Sequence, residues 1–91
     1  MLAEDPQRLF DEFAPLARAY IKAPGVMKAL ELDKVCMKLY PVVARKLEDL
    51  TLANRIREFG RNLPRKEADE LAVLLEEIFA GARQAGLAVS P

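Results

Sequence analysis

Residues 33–63, DKVCMKLYPVVARKLEDLTLANRIREFGRNL, decide how this chain folds, because their apolar side chains keep helical spacing but change face partway. At about 100° per residue, one face carries Val35, Cys36, Leu39, Val43, Leu47 and Leu50. The nearly opposite face carries Leu52, Ile56, Phe59 and Leu63. The change falls at Thr51. Either the helix breaks there and Thr51 caps a new one, or one continuous helix buries its two halves against different partners. We expect a break or a sharp bend.

A helix over residues 6–22 precedes this segment. Asp5 is a good N-cap, and Pro6 suits the first helical position because its missing N–H would have no helical partner there. The apolar stripe of this helix runs through Pro15, which predicts a kink rather than an end. Pro24 and Gly25 end the helix. Residues 26–32 are ambiguous between a short helix and a loop, and a second helix is predicted over residues 33–50, with Pro41 kinking it or opening a new first turn.

The remainder of the chain predicts two further helices, over residues 51–60 and 64–85. Gly60 ends the first of these, and Pro64 lies at or near the first turn of the second. Gly86 is a natural C-cap, after which residues 86–91 form a tail. No alternating strand pattern is present. The sequence therefore predicts an all-α, up-and-down bundle of three or four helices, forming a single domain over residues 1–91.

Composition narrows the class of protein. The chain has 91 residues, and 52% of them are apolar, above the usual ~45–50%. A domain this small buries only ~60–65% of the surface that its unfolded chain exposes, so an extra apolar face would favour a homodimer. Its beginning is acidic, unlike a secretory signal, and no apolar run approaches the ~20 residues of a membrane span. Cys36 is the single cysteine, which excludes an internal disulfide. We expect a cytoplasmic protein that does not bind membranes.

The inventory of reactive side chains argues against an enzyme. The sequence has no histidine, the commonest general base, and its hydroxyl side chains besides tyrosine are Ser90 and Thr51. Cys36 lies on an apolar helix face, where a cysteine behaves as a small hydrophobe. The carboxylates come mostly as adjacent pairs, which diverge by about 100° on a helix. We expect no catalytic residues, no metal, no cofactor and no small-molecule substrate.

Charge is segregated along the chain although its formal net charge is zero. Residues 18–66 carry twelve basic against five acidic side chains, whereas residues 1–17 and 67–91 are net acidic. The densest basic cluster comprises Arg55, Arg57, Arg61, Arg65 and Lys66. It could complement the acidic helices within the fold, dock on an acidic protein, or contact nucleic-acid phosphates.

These observations predict a non-catalytic protein–protein interaction module, such as a small regulator, an adaptor or an accessory subunit of a larger complex. The surplus face of Leu52, Ile56, Phe59 and Leu63 is the predicted partner-binding surface, and it would also support a homodimer. The alternative is a nucleic-acid-binding accessory protein that uses the basic segment 55–66. That segment lacks exposed stacking aromatic residues, because Phe59 belongs to an apolar face, and the sequence pI near 6.3 is low for a dedicated binder.

Overall fold

The chain folds into four α-helices in the computed structural model, which describes residues 5–89. The helices are α1 (Pro6–Lys22), α2 (Val26–Lys46), α3 (Leu50–Asn62) and α4 (Ala68–Gln84), and no strand occurs within these residues. The predicted all-α class and the small helical bundle are confirmed. None of the described helices is long and apolar enough to cross a bilayer.

Helix α1 spans the range that its sequence signals indicate. The Asp5 carboxylate accepts a hydrogen bond from the backbone N–H of Gln7 at 3.0 Å, which satisfies one of the free donors of the first turn. The helix continues through Pro15, and the kink predicted there stays a prediction. Its buried stripe consists of Leu9, Phe10, Phe13, Ala14, Ala17 and Tyr20.

Helix α2 begins at Val26, seven residues before the predicted start at Asp33. Gly25 occupies its N-cap position, and the ambiguous residues 26–32 are helical. The helix runs through Pro41 to Lys46, so the first two helices are separated by a short connection of three residues. Its buried residues are Leu32, Cys36, Leu39, Val42 and Val43.

The break between the two apolar faces occurs at residues 47–49, slightly before Thr51. Glu48 adopts a left-handed backbone conformation with φ of 51°, which turns the chain sharply. The carboxylate of Asp49 then accepts from the backbone N–H of Leu52 at 2.9 Å and caps α3. The prediction that Thr51 caps the new helix is therefore wrong, because Thr51 is already helical and exposed.

Helix α4 begins at Ala68 instead of residue 64, because Pro64 lies in the turn that follows α3. It ends in a Schellman motif, in which Gly86 donates to the carbonyl of Arg83 and Leu87 donates to that of Ala82. Gly86 has a φ of 95°, a conformation that favours glycine.

The first residues of the predicted tail pack against the bundle. Leu87 is buried against the core, and the side-chain amide of Gln7 both donates to and accepts from the backbone of Ala88. These contacts attach the end of α4 to the start of α1. Ser90 and Pro91, the other members of the predicted tail, lie outside the described residues.

The helices pack in chain order around one apolar core. Each helix contacts its neighbours along the chain, and α4 returns to α1. An aromatic cluster links three of the helices: the ring centroids of Phe10 and Phe79 are 6.0 Å apart, and those of Phe13 and Phe59 are 5.8 Å apart. Within residues 5–89 no polar or charged residue is buried, so apolar burial is the principal stabilising term.

Candidate partner-binding groove

The apolar face predicted to bind a partner lies inside the fold. Leu52, Ile56, Phe59 and Leu63 are each no more than 2% exposed. Phe59 packs edge-on against Phe13 of α1, and the carbonyl of Leu63 accepts from the buried hydroxyl of Tyr20 at 2.9 Å. The expectation that this face is surplus is corrected, because the turn at residues 47–49 folds it back onto the same core as α2.

Exposed apolar side chains are concentrated on α2 instead. Val26, Met27, Leu30 and Met37 are 78%, 75%, 55% and 70% exposed, and they make up four of the six large apolar side chains exposed within residues 5–89. We call these four residues the α2 stripe. Val26, Leu30 and Met37 follow one another at helical spacing along one side of the helix, away from its core-facing residues. A helix that leaves this much apolar surface in water is typical of an interaction site.

A groove between α2 and α3 borders this stripe. One part is a cavity of about 590 Å³ whose walls include Val26, Ala29 and Leu30 of α2 and Pro64 after α3. The adjoining part, about 450 Å³, is lined by Asp33, Cys36, Met37, Tyr40, Arg57 and Arg61. Asp33 and Arg61 line both cavities, which therefore adjoin each other along α2 and α3. We call the two cavities together the α2–α3 groove.

Gly60 allows the two helices to approach closely at the floor of this groove. A Cβ atom at Gly60 would lie 3.0 Å from Oδ1 of Asp33 and 3.1 Å from Cβ of Cys36, both of them shorter than ordinary contacts. The missing side chain therefore sets the spacing of α2 and α3. The walls of the groove rise on either side, apolar on α2 and basic on α3.

The basic cluster predicted as one patch is divided by the structure. Arg57 and Arg61 lie on the α2 side of α3 and line the groove, where the Arg57 guanidinium is 5.4 Å from the centre of the Tyr40 ring. Arg55 and Lys66 lie on the opposite side and face α4. Helical spacing explains the division of the three arginines on α3, because Arg55 falls on one side of its buried face and Arg57 and Arg61 fall on the other, whereas Lys66 lies in the connection after the helix. Arg65 is exposed in the turn that follows.

The two halves of the cluster differ in their ion pairs. Nε of Arg55 lies 3.9 Å from a carboxylate oxygen of Glu77, and Nζ of Lys66 lies 3.4 Å from one of Glu70. No carboxylate of residues 5–89 lies within 4.0 Å of the guanidinium groups of Arg57 or Arg61. The acidic last helix thus complements only the α4 side of the basic cluster. Of the three explanations of the charge pattern, complementation within the fold therefore applies to Arg55 and Lys66. The groove therefore holds two guanidinium groups that form no ion pair within the part of the chain that the structure describes.

Cys36 and Asp33 complete the chemistry of the groove. Burial raises the pKa of the Cys36 thiol from 9.0 to about 12, and the nearby negative charge of Asp33 adds to the effect. The thiol is therefore protonated, and poorly nucleophilic, at neutral pH. No group of three His, Cys, Asp or Glu side chains within residues 5–89 is placed to hold a metal ion.

The groove was missed by sequence reasoning because residues 26–32 were ambiguous between helix and loop. Once residues 26–46 are one helix, Val26, Leu30 and Met37 fall away from the core-facing Leu32, Cys36 and Leu39, and this separation is the signal that could have found the stripe. Comparisons with protein-family models, with curated proteins and with solved structures found nothing that matches this chain.

Proposed function

We propose that this chain is a non-catalytic protein–protein interaction module that binds another protein through the α2 stripe and the α2–α3 groove. The observation that carries the proposal is the exposed apolar stripe beside a groove with two arginines that form no ion pair with any of residues 5–89. A small cytoplasmic regulator, adaptor or accessory subunit would act in this way, by binding a partner protein rather than by catalysing a reaction.

The residue types of the groove support a protein partner. Protein interfaces combine an apolar centre with a polar rim and are enriched in methionine, arginine and aromatic residues. The groove supplies Met37, Tyr40, Arg57 and Arg61 within one cavity. Covering each side chain of the α2 stripe would contribute about 1–2 kcal/mol, because each is more than half exposed when unbound.

The alternative, a nucleic-acid-binding accessory protein, is less well supported. Phosphate binding draws on several cations acting over one surface. Arg55 and Lys66 face α4, next to Glu77 and Glu70, and lie away from the groove arginines. The apolar stripe, moreover, has no role in contacting a phosphate backbone.

The proposal is tested by removing the stripe without changing charge. Leu30→Gln with Met37→Gln replaces two exposed apolar residues in or beside the groove. Leu50→Gln with Val73→Gln is the matched control, since these side chains are 64% and 61% exposed and lie on other helices. Each tagged variant is incubated with lysate of the native host, with and without nuclease treatment, and circular dichroism verifies that its helices are intact.

We expect at least one stoichiometric protein to be retained by the unmodified chain and by the control, but lost with the stripe variant. The affinity for that protein, once purified, should fall by at least about tenfold in the stripe variant, which corresponds to about 1.4 kcal/mol. Retention of the same proteins by both variants, or loss of every partner after nuclease treatment, would contradict the proposal.

A further inference from the structure

We infer that the occupant of the α2–α3 groove is an amphipathic helix of a partner protein, which places two carboxylates one turn apart against Arg57 and Arg61. This inference rests on the proposed function and specifies the chemistry of the partner. It follows from the different character of the two walls of the groove: α2 contributes the apolar stripe, and α3 contributes the two guanidinium groups.

The basic wall sets the spacing of the acidic residues. Arg57 and Arg61 are four residues apart on α3, so they are separated by one helical turn, about 6 Å along the axis. Glutamate or aspartate residues at positions i and i+4 of a partner helix have the same spacing. Guanidinium groups bind carboxylates with two parallel hydrogen bonds, and no carboxylate of residues 5–89 competes at ion-pair distance. The Tyr40 ring under Arg57 helps to hold that side chain over the groove.

The apolar wall sets the length of the partner helix. Val26 and Met37 are eleven residues apart on α2, a distance of about 16 Å along the helix axis. A partner that covers this wall needs about three helical turns, with its own apolar side chains at helical spacing. The acidic residues then lie at the edge of that apolar stripe, on the side that faces α3. This is the helix-in-groove mode of recognition.

A second copy of this chain fits the groove less well. Pairing two α2 stripes about a twofold axis would also bring Lys34 and Lys38, which are exposed on the same helix, close to the cations of the other copy. The acidic outer face of α4 around the exposed Val73 has the required character. Placing it in the groove of another copy, however, gives a head-to-tail contact that does not close into a dimer.

The position of Asp33 favours a protein partner over a polyanion such as a nucleic acid. Its carboxylate lies in the groove, where it lines both cavities, and it accepts no side-chain or backbone hydrogen bond from residues 5–89. A partner helix can place a donor such as a lysine, an asparagine or a hydroxyl side chain there. A phosphate backbone carries negative charge and offers no donor at this position. The groove therefore favours a protein segment that carries both acidic groups and a donor.

The inference is tested with synthetic peptides of about 14 residues, long enough for three to four turns. A fluorescent, helix-forming peptide carries one apolar stripe and two glutamates at i and i+4 along its edge, and its counterpart has glutamine at those two positions. Binding to the full chain is measured by fluorescence anisotropy at low ionic strength. We expect the glutamate peptide to bind about 2- to 30-fold more tightly, as two exposed ion pairs at a binding surface would give.

The protein variants use the division of the basic cluster. Arg57→Gln with Arg61→Gln should reduce the affinity for the glutamate peptide to that for the glutamine peptide. Arg55→Gln with Lys66→Gln removes the same charge from the opposite side of α3 and should leave the preference intact. Charge reversal, with Arg57→Glu and Arg61→Glu, should transfer the preference to a peptide with two lysines.

Other outcomes overturn the inference in distinguishable ways. If both peptides bind equally and Leu30→Gln with Met37→Gln weakens both, the charge inference fails while the proposed function stands. If neither peptide binds, and the stripe variant retains the same partners as the unmodified chain, both the inference and the proposed function fail. Binding of duplex DNA or of anionic phospholipid vesicles that depends on Arg57 and Arg61, without peptide binding, assigns the groove to a phosphate ligand. Self-association abolished by Arg57→Gln with Arg61→Gln assigns it to a second copy.

Discussion

Replacement of Gly60 by alanine should destabilise this protein although it improves the helical propensity of α3. Gly60 lies within α3, where alanine is favoured over glycine by about 1 kcal/mol in an exposed helix. The added Cβ atom, however, would lie 3.0 Å from Oδ1 of Asp33, 3.1 Å from Cβ of Cys36 and 3.3 Å from its sulfur atom. Carbon atoms in proteins are at their best separation at about 3.5–4.0 Å.

The position of Cys36 decides the sign of the effect. Its Cβ atom is attached directly to the backbone of α2, and its side chain is only 1% exposed, so no rotamer change relieves the contact. Helix α2 must move away from α3 by a few tenths of an ångström. Overpacking of this kind costs about 1–3 kcal/mol. Set against the gain in propensity, Gly60→Ala should lower the free energy of unfolding by about 1 kcal/mol.

Gly81→Ala is the matched control. Its Cβ atom would lie 3.2 Å from Cδ1 of Leu52, the end of a rotatable side chain, and 3.9 Å from a guanidinium nitrogen of Arg55. The leucine side chain can adjust, so the propensity gain should remain and this variant should be unchanged or more stable by up to about 1 kcal/mol.

Urea unfolding followed by circular dichroism measures both variants, provided that their m-values agree with that of the unmodified chain. The two variants should differ by about 1–2 kcal/mol, and a shift of about 4–8 °C in Tm is expected for each kcal/mol in a domain of this size. If Gly60→Ala is instead as stable as the unmodified chain, α2 and α3 do not approach as closely at Gly60 as the distances above require.

Three further predictions concern a cap, a buried hydrogen bond and a buried thiol. Asp49→Ala should lower the free energy of unfolding by about 1 kcal/mol because it removes the cap of α3, whereas Thr51→Ala should change it little; equal effects in urea unfolding would contradict the assigned cap. Tyr20→Phe should lower it by about 1 kcal/mol, since the buried hydroxyl donates to the carbonyl of Leu63, and no change in urea unfolding would contradict that bond. Because burial raises the pKa of Cys36 from 9.0 to about 12, the thiol ionises first in the unfolded chain as pH rises. The protonated thiol therefore makes its full contribution to the free energy of unfolding below pH 9. Above pH 9 the free energy of unfolding should fall by up to about 1.4 kcal/mol per pH unit. Urea unfolding on both sides of pH 9 should show a steeper fall for the unmodified chain than for Cys36→Ala.

Features that depend on neighbouring residues in the chain could be predicted before the fold was known. Asp5 and Pro6 begin α1, and Gly86 with Leu87 ends α4, because caps and C-terminal motifs need only a few consecutive residues. Helical spacing likewise predicted the all-α class and a break near Thr51. Residues 26–32 escaped this reasoning because they are too short, and too mixed in character, to show a helical period on their own.

The tertiary structure decided which faces meet and which remain exposed. The turn at Glu48 directs the face of Leu52, Ile56 and Phe59 into the core, where periodicity alone had left it surplus. The same turn sets the rotation of α3, which sends Arg57 to α2 and Arg55 to α4. Spacing along a helix shows which side chains share a face. Which other helix covers that face depends on the direction of the chain in other parts of the sequence, and the spacing does not show that direction.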